Sequence, residues 1–135
     1  MLDFRMIQSV LASLPNDCPG ISGSTVLTKD GLPITSVILP EGVDEAILAA
    51  VSASILTNGN IAAGELKHKG GVTRVVVETD DGMIVVQGIP DAESVLTITA
   101  EKETKMGMIF LAMERAIRKL RVELTKFMGE RAKLT

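Results

Sequence analysis

The chain contains 135 residues, a length typical of one domain with one hydrophobic core, and its formal net charge is −3 at pH 7. Apolar residues make up 46% of the composition, but the chain has three phenylalanines, no Trp or Tyr, one histidine and one cysteine. These counts exclude a multi-histidine metal centre and a disulfide framework, and the acidic balance with few aromatic rings argues against nucleic-acid binding. We expect no cofactor, a cytoplasmic protein, and an apolar surplus that faces a protein partner.

Apolar periodicity and turn dipeptides divide the chain into eight predicted elements. In chain order they are a helix at 2–14, strands at 24–29 and 32–39, a helix at 43–67, strands at 72–79, 83–89 and 94–100, and a helix at 104–131. We therefore predict an α/β fold, an α+β three-layer sandwich that forms a single domain over 1–135. Its five-stranded, mainly antiparallel sheet has the long middle helix on one face and the N- and C-terminal helices on the other.

The two terminal helices each carry one apolar stripe that is predicted to pack on the sheet. The stripe of the first helix consists of Phe4, Ile7, Leu11 and Leu14. The stripe of the last helix consists of Met106, Ile109, Met113, Ala116, Ile117, Leu120, Leu124 and Phe127. The continuous apolar runs at 75–77 and 83–86 predict strands that are buried on both faces.

Basic side chains lie off the apolar stripe of the last helix, and two interpretations of them stay open. They form a solvated face with pairs such as Glu114–Arg118, or they dock an acidic protein or an anionic lipid surface. These residues are Arg115, Arg118, Lys119, Arg121 and Lys126.

The middle helix has no charged residue between Glu45 and Glu65. We expect its larger residues to lie on the sheet and its small residues to point outward, where they permit another backbone to come close. The outward side is covered either by loops of this chain or, as we favour, by another protein. The predicted sheet side is Ile47, Leu48, Val51, Ile55, Ala62 and Leu66, and the predicted outward side is Ala46, Ala49, Ser52, Ala53, Leu56, Ala63 and Gly64.

The length of this uncharged stretch is close to that of a membrane span, but several Ser, Thr and Asn residues lie in its middle. Polar groups there are costly in lipid, so we predict no membrane span. The third strand, at 72–79, carries only Arg74 and Glu78 as charges. At a sheet edge it would invite pairing with another chain, but an internal position is equally compatible with the sequence.

Chemical motifs are weak throughout the chain. The glycine-rich segment at 20–24 precedes a strand and lacks the helix start that a phosphate site needs. His68 is predicted to stabilise the end of the middle helix, and Cys18 lies in a predicted loop without a nearby base. We therefore predict that the protein is not an enzyme.

The order and spacing of several short motifs resemble those of the roadblock / dynein light chain domain family, a relative of longin folds. The motifs are Lys29-Asp30-Gly31-Leu32-Pro33-Ile34, Ala49-Ala50-Val51-Ser52-Ala53-Ser54, Val72-Thr73-Arg74-Val75-Val76-Val77-Glu78, Gly88-Ile89-Pro90 and Val95-Leu96-Thr97-Ile98. The Asn58-Gly59-Asn60 insert consists of weak helix formers and departs from the Leu- and Ala-rich helix that the family leads us to expect.

The resemblance implies a homodimer, or a heterodimer with a paralogous roadblock protein, in which the third strands pair and the middle helices pack side by side. The implied dimer interface consists of Ala49, Ser52, Ala53, Leu56, Ala63, Val72, Thr73, Arg74, Val75 and Val77. The implied docking surface for a Ras-like small GTPase consists of Asp44, Glu45, Leu48, Ala49, Ser52 and Leu56.

Together these expectations describe a non-catalytic dimeric regulator or scaffold of a Ras-like small GTPase, without nucleic-acid partners. A small-molecule sensor of similar layout is the alternative, and it requires a cavity between the sheet and the helices.

Overall fold

The computed structural model describes residues 2–134, including the side chains of residues 2–126. Eight elements follow the predicted order. They are α1 (Phe4–Asp17), β1 (Ile21–Thr28), β2 (Pro33–Val37), α2 (Glu45–Glu65), β3 (Arg74–Glu78), β4 (Gly82–Ile89), β5 (Ser94–Glu101) and α3 (Met106–Leu134).

Helix α1 begins after Asp3, whose carboxylate accepts hydrogen bonds from the backbone amides of Arg5 and Met6. The helix continues to Asp17, three residues beyond the predicted end, with Pro15 inside its last turn. The amide of Cys18 closes that turn on the carbonyl of Leu14 at 2.9 Å. Proline removes one amide donor near the end of a helix, and the remaining hydrogen bonds carry the helix past it.

The five strands form one sheet in the order β2-β1-β5-β4-β3, and every neighbouring pair is antiparallel. The β1–β5 and β4–β5 pairs make up its centre, with Val26 opposite Leu96 and Val85 opposite Ile98. The predicted fold class is confirmed, and the sheet is antiparallel throughout.

Alternate side chains of the strands enter two separate cores. Val26, Val85, Leu96 and Ile98 pack under α1 and α3. Their neighbours Leu27, Val86 and Val95 pack under α2 on the opposite face. The burial of β4 on both faces confirms the interpretation of its continuous apolar run, whereas β3 is only half-buried.

The apolar stripe of α3 is buried as predicted from Ile109 to Leu124, while Met106 is half-buried and the side chain of Phe127 lies outside the described ones. In α1 the buried residues are Ile7, Val10, Leu11 and Leu14, and Phe4 is 50% exposed. The inclusion of Phe4 in the stripe was wrong, because the contact with the sheet starts one turn after the helix begins.

Gly82, at the start of β4, has no room for a side chain, because a Cβ atom there would lie 2.3 Å from the carbonyl oxygen of Ala100. We expect Gly82→Ala to lower the free energy of unfolding by about 1–3 kcal/mol, as overpacking typically does. Gly107 in α3 has open space around it, so the matched change Gly107→Ala should be neutral or stabilising by about 0.5 kcal/mol. Urea denaturation of both variants measures the difference, and equal stabilities would contradict the packing described at β4.

Candidate interaction surface

Helix α2 packs its small residues on the sheet. Ala49, Ser52 and Ala53 are its buried residues, and Ala49 and Ala53 contact the core formed by Leu27, Val86 and Val95. The helix lies so close that a Cβ atom on Gly31, in the β1–β2 turn, would be 3.1 Å from the Cα atom of Ala50. Gly31 also has a φ of +92°, which glycine adopts readily.

The predicted orientation of α2 was therefore wrong. Ile47 is 62% exposed, Val51 49% and Leu66 70%, although they were expected on the sheet. Ala62 is exposed as well, whereas Leu48 and Ile55 are half-buried at the margin of the contact. Both sides of α2 are apolar, so hydrophobic periodicity did not distinguish them, and close packing on the sheet selected the smaller side chains.

The outward side of α2 is a row of exposed apolar side chains without a charge, formed by Ile47, Val51 and Ile61 and extended by Leu66. We call this set the outer α2 row. Small or neutral residues fill the space between its members, and all of them are exposed: Ala46, Ala50, Ser54, Thr57, Asn58 and Ala62. An exposed apolar patch of this extent is typical of a surface that contacts another molecule.

Among the described helices, α2 is the one long and apolar enough to cross a membrane by length and composition. That property follows from having two apolar sides. In the structure, one side packs on the sheet and the other forms the outer α2 row.

Strand β3 occupies the edge of the sheet, which decides between the two positions that the sequence left open. One side of its backbone pairs with β4, and no other described strand pairs with its free side. Val75, Val76 and Val77 are half-buried and Thr73 is exposed. Unpaired backbone amides and carbonyls on a lightly charged edge favour pairing with a further strand.

The Asn58-Gly59-Asn60 segment connects α2 to this edge, and α2 runs through it without interruption. A Cβ atom on Gly59 would lie 3.2 Å from a methyl group of Val75, so glycine permits the close approach. The side-chain oxygen of Asn60 accepts a hydrogen bond from the backbone amide of Val72 at 2.9 Å. The prediction of one helix through this segment is therefore confirmed, and the insert holds the outer α2 row beside the edge strand.

Arg74 is fixed on the other face of the β3 edge. Its guanidinium donates to Glu114 at 2.9 Å and to Gln87 at 3.2 Å, and it lies over the ring of Phe110 at 4.3 Å from the centroid. Glu114 thus pairs with Arg74 across the fold, and not with Arg118, the partner that the solvated-face interpretation named. The cluster attaches β3 to α3 and occupies both ends of the guanidinium group.

The predicted docking residues lie at the start of α2 and on its flank. Asp44 is the exposed N-cap, and its carboxylate accepts hydrogen bonds from the amides of Ala46 at 3.0 Å and Ile47 at 3.2 Å. Glu45, Leu48 and Leu56 are half-buried and remain accessible, whereas Ala49 and Ser52 are covered by the sheet. Of the predicted dimer residues on α2, Leu56 and Ala63 are half-buried and Ala53 is 9% exposed.

The side chains that could act in catalysis do not lie together. Cys18 is buried in the core under α1 and α3, while His68 is exposed after the end of α2. Within the part of the chain that the structure describes, there is no group of acidic, histidine or cysteine side chains able to hold a metal ion.

Two ion pairs among the described residues hold the β4–β5 turn. A hydrogen bond from Lys29 to Glu93, together with the negative charge of Glu93, raises the pKa of the Lys29 amino group above its ordinary value. Arg121 of α3 pairs with Asp91 in the same β4–β5 turn. Arg121 is thus engaged within the fold, and Arg115, Arg118, Lys119 and Lys126 are exposed.

Comparison with known protein families agrees with this geometry. Residues 7–100 match the Roadblock/LC7 domain, so the chain belongs to the Roadblock/LC7 domain family. The resemblance found in the sequence is thereby confirmed.

Relatives and solved structures with the same fold are found in bacteria and archaea. An uncharacterised protein of Methanocaldococcus jannaschii is 30% identical over 116 residues, which cover 86% of this chain and 97% of that protein. The fold is similar to that of Myxococcus xanthus MglB, with a TM-score of 0.79 at 20% identity, covering 95% of this chain and 98% of that one. A Roadblock/LC7 domain from Streptomyces avermitilis also has a TM-score of 0.79, at 22% identity, covering 86% of this chain and 95% of that one.

The N-cap role of Asp44 can be separated from any role in docking. We expect Asp44→Ala to lower the free energy of unfolding by about 1 kcal/mol, because two amides at the start of α2 lose their acceptor. Asp44→Ser keeps an acceptor at this position and should retain most of the stability. Urea denaturation compares the two variants, and an equal loss in both would show that the hydrogen bonds of the cap are not the stabilising contribution.

Proposed function

We propose that this protein is a dimeric, non-catalytic regulator or scaffold that binds a Ras-like small GTPase in the cytoplasm. The proposal depends on one observation above all, the position of the uncharged outer α2 row beside the free, lightly charged edge of β3. Membership of the Roadblock/LC7 family and the likeness to MglB support a role in GTPase-related systems.

The proposed dimer is a symmetric pair in which the β3 edges align antiparallel and the α2 helices lie side by side. This arrangement uses Val72 and Thr73 just before β3, the β3 residues Arg74, Val75 and Val77, and Leu56 and Ala63 of α2. On α2 it replaces the buried Ala49, Ser52 and Ala53 by Ile47, Val51 and Ile61, which are exposed. One of the solved structures with this fold is described as MglB with a tetrameric arrangement, which supports self-association as a property of the fold.

The proposed docking site for the GTPase is formed by the paired α2 helices near their N-termini. Asp44, Glu45 and Leu48 are the members of the expected set that stay accessible beside the dimer contact, and Leu56 lies at its margin. Two acidic residues and two aliphatic ones suit a partner surface that is apolar at its centre and basic at its rim.

The effect on the GTPase is proposed to come from contact with its switch loops. A regulator can also speed GTP hydrolysis by inserting an arginine that stabilises the charge of the transition state, and this arginine must be free to reach the nucleotide. Arg74 does not fit that role, because Glu114, Gln87 and Phe110 already hold its guanidinium group. Binding would instead favour one conformation of the switch loops. The shift in their equilibrium equals the difference between this protein's affinities for the two conformations.

Charge introduced on the outer α2 row tests the dimer. We expect Val51→Glu to convert the dimer to a monomer at micromolar concentration, because symmetry places the buried carboxylate in the interface twice. Val122→Glu is the matched control, since Val122 is 55% exposed on α3, on the opposite side of the sheet. Light scattering after size exclusion measures the mass of both variants, and a wild-type monomer or an unaffected Val51→Glu dimer would contradict the proposal.

A panel of Ras-like GTPases from the same organism, each loaded with GTP and GDP analogues, tests the binding partner. We expect at least one to bind with a preference for one nucleotide state, and Glu45→Lys to weaken that binding by about tenfold while the dimer persists. Biolayer interferometry provides the affinities, with Val122→Glu as the control. If no GTPase binds although the protein is dimeric, the GTPase part of the proposal fails and the dimer part stands.

A further inference from the structure

A cavity of about 180 Å³ lies between the sheet and the start of α2. Leu39 and Val43 from the β2–α2 connection form its outer wall, together with Leu48 of α2, and Ile84, Thr97 and Thr99 form its floor. It is separate from the outer α2 row, whose members Ile47, Val51, Ile61 and Leu66 do not line it. No ionisable side chain lines it, so a charged ligand would be buried there without a counter-ion.

The floor contains a polar group that the protein does not satisfy. Thr97 is 4% exposed, and its hydroxyl is the one buried side-chain polar atom without a hydrogen-bond partner among the described residues. The neighbouring Thr25, opposite it on β1, has both kinds of partner, since it donates to the carbonyl of Thr35 and accepts from Ser36. Buried hydroxyls are rarely unpartnered, and an exception calls for an explanation such as a partner from outside the protein.

The wall of the cavity is held in a costly conformation. Ile38, directly before Leu39, has a φ of 56°, in the left-handed region that β-branched residues avoid. Gly23 permits this path, because a Cβ atom there would lie 2.8 Å from the carbonyl oxygen of Ile38. The connection thus runs close against β1 at Ile38, and the next residue, Leu39, lines the cavity.

We propose that this cavity binds a small neutral organic molecule, mostly carbon, with one hydroxyl or carbonyl oxygen that hydrogen-bonds to Thr97. A cavity of about 150 Å³ lined by aliphatic side chains accepts benzene, so the volume here suits a ligand of about six to nine non-hydrogen atoms. The hydroxyl oxygen of Thr97 is closed to solvent in its present rotamer, so it reaches the ligand after a χ1 rotation, which exchanges its position with that of the methyl group. A water molecule fits poorly, because it needs two to four polar partners and the walls are almost entirely apolar.

Toluene and benzyl alcohol are suitable probes, because they differ by one hydroxyl group. Each is titrated into the protein with isotope-labelled methyl groups, and the chemical shifts of Leu39, Leu48 and Ile84 report binding in the cavity. The expected result is saturable shifts at these methyls, with Leu11 and Leu120 of the other core unaffected. Absence of saturation, or shifts confined to the other core, would overturn the proposal.

The role of the hydroxyl is measured with Thr97→Val. This change keeps the shape and removes an unsatisfied polar group, so the variant should unfold at no lower temperature than the wild type. It should lower the affinity for benzyl alcohol relative to that for toluene by about three- to tenfold, which corresponds to the loss of one hydrogen bond.

Thr25→Val is the matched control, because it removes a partnered hydroxyl on the same sheet face that does not line the cavity. It should lower the unfolding temperature and leave the ratio of the two affinities unchanged. An unchanged ratio in Thr97→Val, or the same change in both variants, would overturn the assignment of the ligand's oxygen to Thr97.

Discussion

The close contact between the small side of α2 and the sheet determines most of the structure described above. Ala49 and Ala53 let the helix lie directly on Leu27, Val86 and Val95. That choice turns Ile47, Val51 and Ile61 outward, because they are on the opposite side of the same helix. Burial of an aliphatic side chain is worth about 1.5–3 kcal/mol relative to leaving it exposed. The isolated chain does not gain this free energy from the three residues, and a partner that covers them does.

The same contact positions the edge of the sheet. Gly59 rests against Val75, and Asn60 holds the chain just before β3 through the amide of Val72. An exposed helix row and an unpaired strand edge therefore share one side of the molecule. The two features reinforce each other, since apolar burial supplies favourable free energy without direction and backbone pairing fixes the orientation of the partner.

The sequence predicted the element order, the layers and the family, because local periodicity and turn residues are strong along this chain. The buried residues of α3 were predicted for the same reason, since one side of that helix is charged. The orientation of α2 was not predictable in this way, because Ala49 and Val51 both occupy apolar sides of one helix. The edge position of β3 depends on β5 pairing with the distant strand β1, and local sequence patterns carry no information on that pairing.

The position of the cavity could not be predicted from the sequence, because it depends on the conformations of single residues. The alternative of a small-molecule sensor required a cavity between sheet and helix, and the sequence offered no way to locate it. Its floor is made by Thr97, which looks like any alternating strand residue, and its wall by the unusual conformation of Ile38. The register places Thr97 opposite Thr25, and the hydrogen bonds of the folded sheet show that the hydroxyl of Thr25 has partners and that of Thr97 has none.

The central claim is that a second copy of the chain covers the β3 edge and the outer α2 row. Amide-resolved hydrogen exchange over a range of protein concentrations tests it most directly. Alternate amides of β3 pair with β4 and are protected at any concentration, whereas the others point to the free edge. We predict that the edge amides become protected as the concentration rises, in step with the measured mass. Rapid exchange of these amides at every concentration would contradict the account.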